Sequence, residues 1–340
     1  MLITNNEHGI EVFATCPQIP QGDTSTYTED IISVAQWSEK AGCRGILVYT
    51  DNEQYDPWTV AQLIIENTET LCPLIAVQPM YMHPYTVAKK ISSIAGLYNR
   101  RIYLNMVAGG FHNDLLALGD PTEHDKRYER LTEYTLVIKA LLSGQGPVNF
   151  QGSYYQIRGL KLSPRLPPDL MPGIFMSGTS EASKTAVRNI GATAIEYPQP
   201  PVLNTEAEKF IRRNDIGIRI GIIAREDDSV AWKKAFERFP EDRKGEILHE
   251  MAMSVSDSVW HKQLSDLSRE RQLEGSPYWL GPFKNYKTMC PYLVGSYTQI
   301  ASVLSAYMDM GYLTFIIDVP ESAKELEHIA LAFNNTRVNA

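Results

Sequence analysis

The sequence of 340 residues predicts a (β/α)8 barrel with insertions, and two observations lead to this fold class. Short apolar segments alternate with amphipathic segments, as in consecutive βα units around a parallel sheet. Eight apolar segments can be counted, and a helical pattern follows nearly every one. No Ser/Gly-rich linker interrupts the series, so residues 1–340 are predicted to form a single domain.

Each predicted strand is a short apolar run, and each predicted helix has apolar residues three and four positions apart. The strands are Ile10–Thr15, Gly45–Thr50, Cys72–Gln78, Arg101–Ala108, Gly173–Gly178, Ala192–Tyr197, Gly217–Ala224 and Leu313–Val319. The helices are Tyr27–Ala41, Thr59–Glu69, Pro84–Leu97, Asp125–Leu142, Glu181–Asn189, Thr205–Arg213, Ser229–Arg238 and Glu321–Asn334.

Two segments do not belong to the eight βα units and are predicted to be insertions. Near 147–162, two β-rich halves flank the pair Gly152–Ser153, which predicts a hairpin insertion. The second insertion lies near 239–294 and contains a helical pattern at Ser254–Arg269. Its stretch Tyr278–Tyr292 has Gly and Pro but no regular period, so we expect a mobile lid there.

Composition and charge narrow the functional class. Forty acidic residues against 32 Lys and Arg give a formal net charge of -8, which disfavours nucleic acid and membrane surfaces as partners. No apolar run approaches the ~20 residues of a membrane span, and the N-terminus has no signal-peptide pattern, so a cytoplasmic protein is expected. The four cysteines are far apart, and zinc, P-loop and nucleophile-elbow motifs are absent, so no metal site is predicted.

The chemistry of such barrels lies where the strands end. There Ser177, Gly178 and Thr179 come just before a predicted helix, whose free N–H groups suit a phosphate, although the same pattern also fits a plain capping turn. His124 and Tyr128 are four residues apart and share one helix face, as a packing pair or as part of the same site. No paired carboxylates occur at these strand ends, which makes a glycosidase a poor fit.

Six motifs, in order along the chain, carry a resemblance to a known family. They are LNMVAGG at 104–110, EHDKRYER at 123–130, FQGSYYQIRGLKLSP at 150–164, MSGTSEAS at 176–183, GIRIGIIAREDDSVAW at 217–232 and YLVG at 292–295. Together they resemble the bacterial luciferase-like flavin monooxygenases, nearest the alkanesulfonate monooxygenase type, over nearly the whole chain.

The resemblance implies a luciferase-like barrel and a two-component enzyme. Such an enzyme takes reduced FMN (FMNH2) from a separate NAD(P)H:flavin reductase and uses O2 to form a C4a-peroxyflavin that oxygenates the substrate. Members commonly assemble as homodimers or homotetramers. The strand end at Ala76–Val77 is expected to hold a strained peptide under the flavin ring. The cofactor residues carried over by motif are Ser177, Gly178 and Thr179 for the phosphate, His124 and Tyr128 reaching the same cofactor, and Gln78 and Asn105 lining the isoalloxazine.

The positions expected to contact substrate depart from the alkanesulfonate subgroup. Its cysteine, tryptophan and loop arginine correspond here to Gln54, Tyr197 and Tyr286, and its histidine after the seventh strand's arginine corresponds to Gly221. That arginine is kept as Arg219, which is either a substrate contact or a structural ion pair. Arg219, Gln54, Tyr197 and Tyr286 are therefore the catalytic candidates.

These departures weaken the case for a small sulfonate, because such an anion needs several converging donors. The substrates that remain are an alkanesulfonate-like compound, a thioether or sulfone, a carbonyl compound oxidised by Baeyer–Villiger insertion, or a carrier-tethered biosynthetic intermediate. Two other functions stay open, an F420-dependent barrel oxidoreductase and a non-catalytic flavin-binding protein.

Overall fold

The structure, a computed structural model, describes residues 3, 9–20, 23–109, 112–201, 216–255, 259–269 and 276–336. The chain divides into two compact units. We call Leu47–Ala194 the central unit, and Met1–Ile46 together with Ile195–Ala340 the terminal unit. The prediction of a single domain stays a prediction. Within the described ranges, no helix combines the length and apolar content needed to span a bilayer.

The strands agree closely with the eight predicted barrel strands, with four additional ones. In chain order they are β1 Glu11–Thr15, β2 Gly45–Val48, β3 Cys72–Val77, β4 Tyr103–Met106, β5 Val148–Gln151, β6 Gln156–Leu160, β7 Gly173–Ser177, β8 Thr193–Glu196, β9 Ile216–Arg225, β10 Tyr278–Trp279, β11 Tyr292–Ser296 and β12 Thr314–Ile317. Of the four, β5 and β6 form the predicted hairpin, and β10 and β11 belong to the second insertion. The predicted strand Gly217–Ala224 is longer by one residue at each end, as β9.

The helices also follow the predicted series. They are α1 Tyr27–Lys40, α2 Pro57–Glu66, α3 Pro84–Tyr98, α4 His112–Ala117, α5 His124–Leu142, α6 Glu181–Ile190, α7 Asp228–Arg238, α8 Arg243–Val255, α9 Val259–Arg269, α10 Gly281–Lys284, α11 Tyr297–Asp309 and α12 Ala323–Asn334. The predicted helix Thr205–Arg213 lies outside the described residues. Helices α4, α8 and α10 were not predicted, and the helix predicted from residue 254 begins at Val259.

Strand order confirms the predicted barrel. One sheet runs β10-β11-β9-β12-β1-β2-β3-β4-β7-β8, and β8 pairs in addition with β9. The eight predicted strands thus form a closed parallel barrel with helices between them. This is the (β/α)8 fold that the alternation of apolar and amphipathic segments indicates.

The core of the central unit lies between its strands and helices. Strand β3 is buried along its whole length, which is typical of a parallel strand covered on both faces. Leu104 and Ile174 on neighbouring strands pack with Leu131 and Ile138 of α5 in one apolar cluster. This packing fixes α5 beside β7, and so determines which side chains can meet at the end of that strand.

In the terminal unit, β9 is ten residues long and lies between two partner strands in the sheet. Its first half, from Gly217 to Ile220, is in parallel register with β12, and its second half, from Gly221 to Arg225, is in parallel register with β11. The second insertion therefore returns to the sheet as an additional strand.

The stretch Tyr278–Tyr292, predicted as an aperiodic lid, is mostly packed in this structure. Besides β10 and α10 it contains Phe283 and Cys290, which are fully buried. Exposed Lys284 and Lys287 form ion pairs with Glu246 and Asp242 at 3.2 and 2.6 Å. Movement of this segment on ligand binding stays a prediction.

Candidate functional site

The predicted phosphate turn lies between β7 and α6 in the central unit. Ser180 caps the helix, its Oγ accepting a hydrogen bond from the Ser183 amide at 3.2 Å. Gly178 has φ +143°, and a Cβ there would lie 2.4 Å from Ser183 Oγ and 3.0 Å from the Tyr128 hydroxyl. A side chain would therefore fill a narrow space that glycine leaves at the helix N-terminus.

Polar groups from α5 surround this space. The rings of His124 and Tyr128 are 5.1 Å apart, as their four-residue spacing predicts, and His124 Nδ1 lies 2.7 Å from an Asp125 carboxylate oxygen. Burial raises the pKa of Tyr128, so its hydroxyl keeps its proton at neutral pH. Ser183 Oγ is buried without a hydrogen bond of ordinary geometry to another described residue, although the Tyr128 hydroxyl is near enough to interact with it.

The structure thus brings together three of the predicted cofactor residues, His124, Tyr128 and Gly178. Ser177 and Thr179 flank Gly178 and are half-buried. What the arrangement offers chemically is a set of donors around a small space: backbone amides at the start of α6, serine and threonine hydroxyls, and a neutral tyrosine hydroxyl. Such a set suits an anion with several oxygen atoms.

A cavity of about 570 Å³ opens at the carboxyl ends of β2 and β3 in the same unit. Its volume is in the range of small-molecule sites. Its lining is contributed by the loop after β2, the end of β3 and the end of α4. The lining residues are Thr50, Asp51, Asn52, Gln54, Tyr55, Asp56, Pro57, Trp58, Ala76, Val77, Gln78, Tyr81, Met82, Ala117 and Leu118.

Two of the predicted site residues line this cavity, Gln54 and Gln78. Gln78 is only 6% exposed, and its side-chain amide makes no hydrogen bond with any other residue in the described part of the chain. Buried amides normally have partners, so this one is available to a ligand.

Asn105, also predicted to line the flavin, lies on β4 in register with Ala76 and with Phe175 of β7. It is half-buried and is not among the residues that line the cavity. The prediction of a strained peptide at Ala76–Val77 is wrong. Both residues lie in regular strand, with neither a cis bond nor a positive φ angle between them.

Hydrogen bonds hold the cavity mouth together. The Tyr81 hydroxyl donates to Asn52 Oδ1 at 2.8 Å, and Asn52 Nδ2 donates to the Asp114 carbonyl at 3.1 Å. Burial, and then the carboxylates of Asp51 and Asp114, raise the pKa of Tyr81 to about 12. The tyrosine is therefore a hydrogen-bond donor at neutral pH. It links the segment after β3 to the loop after β2, and Asn52 links that loop to α4.

The remaining predicted residues lie in the terminal unit. Arg219 on β9 is 5% exposed, and its Nη2 lies 3.9 Å from an Asp318 carboxylate oxygen. The other oxygen of Asp318 accepts a hydrogen bond from the Tyr292 hydroxyl at 2.7 Å. A Cβ at Gly221 would lie 2.3 Å from the Tyr292 ring, so this ring occupies the space beside the position where the alkanesulfonate subgroup has its histidine.

A buried imidazole lies near Arg219. His261 on α9 is 4% exposed, and neither ring nitrogen has a hydrogen-bond partner among the described residues. Burial, and then the positive potential of His249 and Arg219, lower the pKa of His261 to about 3. This imidazole is therefore neutral at physiological pH.

Aromatic contacts connect His261 to the other predicted residues of this unit. The Tyr197 ring stacks on Trp260, with centroids 3.5 Å apart and planes at 5°, and the Trp260 ring lies 3.7 Å from that of His261. Tyr286 has φ +57° and lies 6.0 Å from the His249 ring. Trp260 is half-buried and stacks on Tyr197, one of the predicted site residues.

Two further polar residues were missed by the sequence reasoning. Arg127 on α5 is 1% exposed and exerts its charge on Tyr128, and His261 belongs to a helix that was predicted only as a periodic pattern. For Arg127 a signal existed: an arginine inside the HDKRY motif, next to Tyr128 on the same helix. For His261 no local signal exists, because its burial depends on residues far away in the sequence.

Comparison with known proteins places these features in a family. The luciferase-like monooxygenase family matches residues 10–314. The chain is 34% identical over 308 residues to the 4-(gamma-L-glutamylamino)butanoyl-[BtrI acyl-carrier protein] monooxygenase BtrO of Niallia circulans, covering 89% of this chain and 90% of that protein.

Solved structures share the fold. EDTA monooxygenase EmoA from Chelativorans sp. BNC1 superposes with a TM-score of 0.75 at 15% identity, over 96% of this chain and 93% of that one. The oxygenating constituent of 3,6-diketocamphane monooxygenase from Pseudomonas putida, solved with FMN, gives a TM-score of 0.71 at 13% identity, over 97% and 99%. F420-dependent enzymes share the fold as well, so the fold alone does not choose the cofactor. The family match and the BtrO similarity, each over most of the chain, show that this protein belongs to the luciferase-like monooxygenase family.

Proposed function

We propose that this protein is a two-component monooxygenase that uses FMNH2 supplied by a separate reductase. The observation that carries the proposal is the space at Gly178, between the α6 N-terminus, Ser183 Oγ and the Tyr128 hydroxyl. Glycine places no side chain among the backbone amides and hydroxyls of this turn, and these are the donors that a terminal phosphate needs.

The residues fit the phosphate of FMN in three respects. The amides at the start of α6 and the hydroxyls of Ser177 and Thr179 would donate hydrogen bonds to it. The neutral Tyr128 hydroxyl would add a donor, with the buried Ser183 Oγ beside it. The positive charge of Arg127, which acts on Tyr128, would offset part of the negative charge of the phosphate.

The amide of Gln78 would hold the polar edge of the flavin ring, and Asn105 would contact the same ring from β4. When bound, reduced FMN supplies two electrons to O2, so that one oxygen atom enters the substrate and the other leaves as water. The part of the protein is to bind the flavin, orient the substrate and keep bulk water from the reacting atoms.

The substrate proposed is a small organic acyl compound, free or tethered to a carrier. The size of the cavity supports a small substrate. Support for the tether comes from BtrO, whose name specifies a carrier-bound acyl substrate. Arg219, Gln54, Tyr197 and Tyr286 remain the proposed substrate contacts.

The test is an anaerobic fluorescence titration of the protein with FMNH2, FMN and F420. Reduced FMN must be captured before free O2 oxidises it, so we expect FMNH2 to bind more tightly than FMN by about tenfold or more, which is 1.4 kcal/mol or more. Equal affinity for the two redox states, or tighter binding of F420, contradicts the proposal.

A further inference from the structure

The hairpin and helix α3 give the central unit a basic surface. Residues 84–102, which are α3 and the loop after it, and residues 143–180, which connect α5 to α6, contain seven Lys or Arg and one acidic residue. The whole chain has the opposite balance, with 40 acidic residues against 32 Lys and Arg. Two of the seven, in the loop after α3, donate hydrogen bonds to main-chain carbonyls. We call the other five the basic face: Lys89, Lys90, Arg158, Lys161 and Arg165.

The charges of the basic face are not neutralised by neighbouring acids. Its two lysines on α3 are half-buried, and its other three members are exposed. None of the five forms an ion pair with an acidic residue in the part of the chain that the structure describes. By contrast, exposed lysines on α5, α6 and α12 each pair with a glutamate three residues away. The basic face therefore presents positive charge to solvent in a chain whose formal net charge is -8.

Hydrogen bonds hold the basic face in a fixed shape. The side chains of Lys89 and Ser92 on α3 donate to main-chain carbonyls of the segment after β6. At the turn of the hairpin, the Glu133 carboxylate accepts the three successive amides of residues 153–155 at 2.8, 2.8 and 3.1 Å. A partner that binds here does not have to order the hairpin first, so binding costs less conformational entropy.

A large apolar side chain accompanies these charges. Leu97 lies seven residues after Lys90 on α3, so the two share one face of the helix. Leu97 is 79% exposed, more than any other large apolar side chain among the described residues. Protein interfaces combine apolar contacts with a polar rim, whereas nucleic acids are bound mainly through the charges of their phosphates. The surface therefore suits an acidic protein.

The hairpin connects the basic face to the cavity after β2 and β3. The Tyr155 ring, next to the hairpin turn, lies 5.7 Å from the Tyr134 ring, and the Tyr134 hydroxyl donates to the Met82 carbonyl at 3.0 Å. Lys90 Nζ lies 5.6 Å from the centre of the Trp58 ring. Met82 and Trp58 both line the cavity. A partner bound to the basic face is therefore beside the wall of the cavity.

We propose that the basic face docks an acidic carrier protein, whose tethered acyl group enters the cavity. This inference rests on the proposed function, and it assigns the tethered form of the substrate and the surface that receives its carrier. Charge complementarity identifies the partner, because the basic face attracts an acidic surface while the net negative charge of the chain repels it from other faces. Docking raises the effective concentration of the tethered acyl group at the cavity.

The test uses the protein loaded with oxidised FMN and two probes. One is a small acidic acyl carrier protein that bears a butanoyl-phosphopantetheine arm, and the other is free butanoyl-pantetheine. Calorimetry measures both dissociation constants at low and at high salt, so no turnover is needed. We expect the carrier probe to bind about tenfold or more tightly than the free arm at low salt. Salt should reduce this advantage, because it screens the charges of an exposed surface.

The variant that tests the surface is the triple substitution Arg158→Gln, Lys161→Gln and Arg165→Gln. It keeps Lys89, whose side chain holds α3 to the segment after β6. We expect this variant to bind the carrier probe about tenfold more weakly and to bind the free arm within about twofold of the unaltered protein.

The matched control is the triple substitution Lys40→Gln, Lys233→Gln and Lys244→Gln. It removes the same charge at three exposed residues of the terminal unit, outside the basic face. This variant should bind the carrier probe as the unaltered protein does.

Equal losses in the two triple variants, a carrier probe that binds no more tightly than the free arm, or no carrier binding at all overturns the inference. So does tighter binding of phosphatidylglycerol vesicles or of a poly(U) oligonucleotide that the first triple variant abolishes. A flavin titration of the same samples separates the inference from the proposed function. Flavin binding without carrier docking refutes the docking surface alone, whereas carrier docking without flavin binding refutes the proposed function alone.

Discussion

At the residue scale, the turn between β7 and α6 requires glycine at position 178. Gly178 has a positive φ angle, and any Cβ there would overlap the Ser183 hydroxyl. The strain of such a backbone is of order 1 to 3 kcal/mol for a residue other than glycine. The backbone conformation of the turn and the close approach of Ser183 to it thus both depend on this one glycine.

We expect Gly178→Ala to weaken FMN binding by about 5- to 100-fold, because the methyl group enters the phosphate space and strains the turn. Riboflavin, which has no phosphate, should lose much less affinity. Fluorescence titration with both flavins measures the difference.

Gly146→Ala is the matched control. Gly146 also has a positive φ angle, +126°, but a Cβ there would meet no atom within 4 Å. This variant should bind FMN as the unaltered protein does. Equal losses of FMN and riboflavin in Gly178→Ala would mean that the turn does not hold the phosphate.

At the scale of elements, α9 contributes a buried imidazole to the terminal unit. Because the folded-state pKa of His261 is about 3 and its ordinary value is 6.5, the unfolded chain takes up a proton between these values while the folded chain does not. Its contribution to stability is therefore complete above pH 6.5 and is lost as the pH falls toward 3.

We expect His261→Phe to reduce the dependence of unfolding free energy on pH below pH 6.5. The difference in slope from the unaltered protein should approach about 1.4 kcal/mol per pH unit between pH 6 and 4. Urea unfolding at several pH values measures it. Parallel curves for the two proteins would show that His261 is not held neutral by burial.

The segment between α9 and β11 gives the second prediction at this scale. We expect FMNH2 to slow trypsin cleavage after Lys284 and Lys287, since these sites are cut only when the segment opens. Glu246→Gln and Asp242→Asn remove their ion-pair partners and should speed cleavage by about two- to fivefold without ligand.

Glu327→Gln provides the comparison, because it removes the partner of Lys324 at 3.0 Å on α12, outside this segment. It should leave cleavage at the two lysines unchanged. A cleavage rate that is the same with and without FMNH2 would contradict the lid prediction.

At the scale of the whole molecule, the barrel was predictable because its signals are local. Each βα unit shows its apolar run and its helical period within about twenty residues, and all eight strands are present near their predicted bounds. Strand β11 was missed because it follows Pro291 in a tract that shows neither period, and its strand identity comes from pairing with the distant β9. The predicted start of α9, Ser254, also differs from its start in the structure, Val259.

The sequence predicted the candidate site only for residues that can be placed from their position at a strand end or on a helix face. Tyr128 and Gly178 could be brought together in advance, because one lies on a helix face and the other after a barrel strand. The burial of Arg127 and His261 depends on residues far apart in sequence. Neither propensity nor spacing contains that information.

The contact between Gly221 and Tyr292 restricts how this protein can be interconverted with its relatives by mutation. The Tyr292 ring leaves no room for a Cβ at position 221, and the Tyr292 hydroxyl also bonds to the carboxylate beside Arg219. Introducing the histidine of the alkanesulfonate subgroup at 221 is therefore incompatible with the present residue at 292. A mutational path must shrink position 292 first, through an intermediate in which Asp318 has lost this hydrogen bond. The two positions are epistatic, and a library that varies one of them at a time will miss the combinations that exchange one substrate preference for the other.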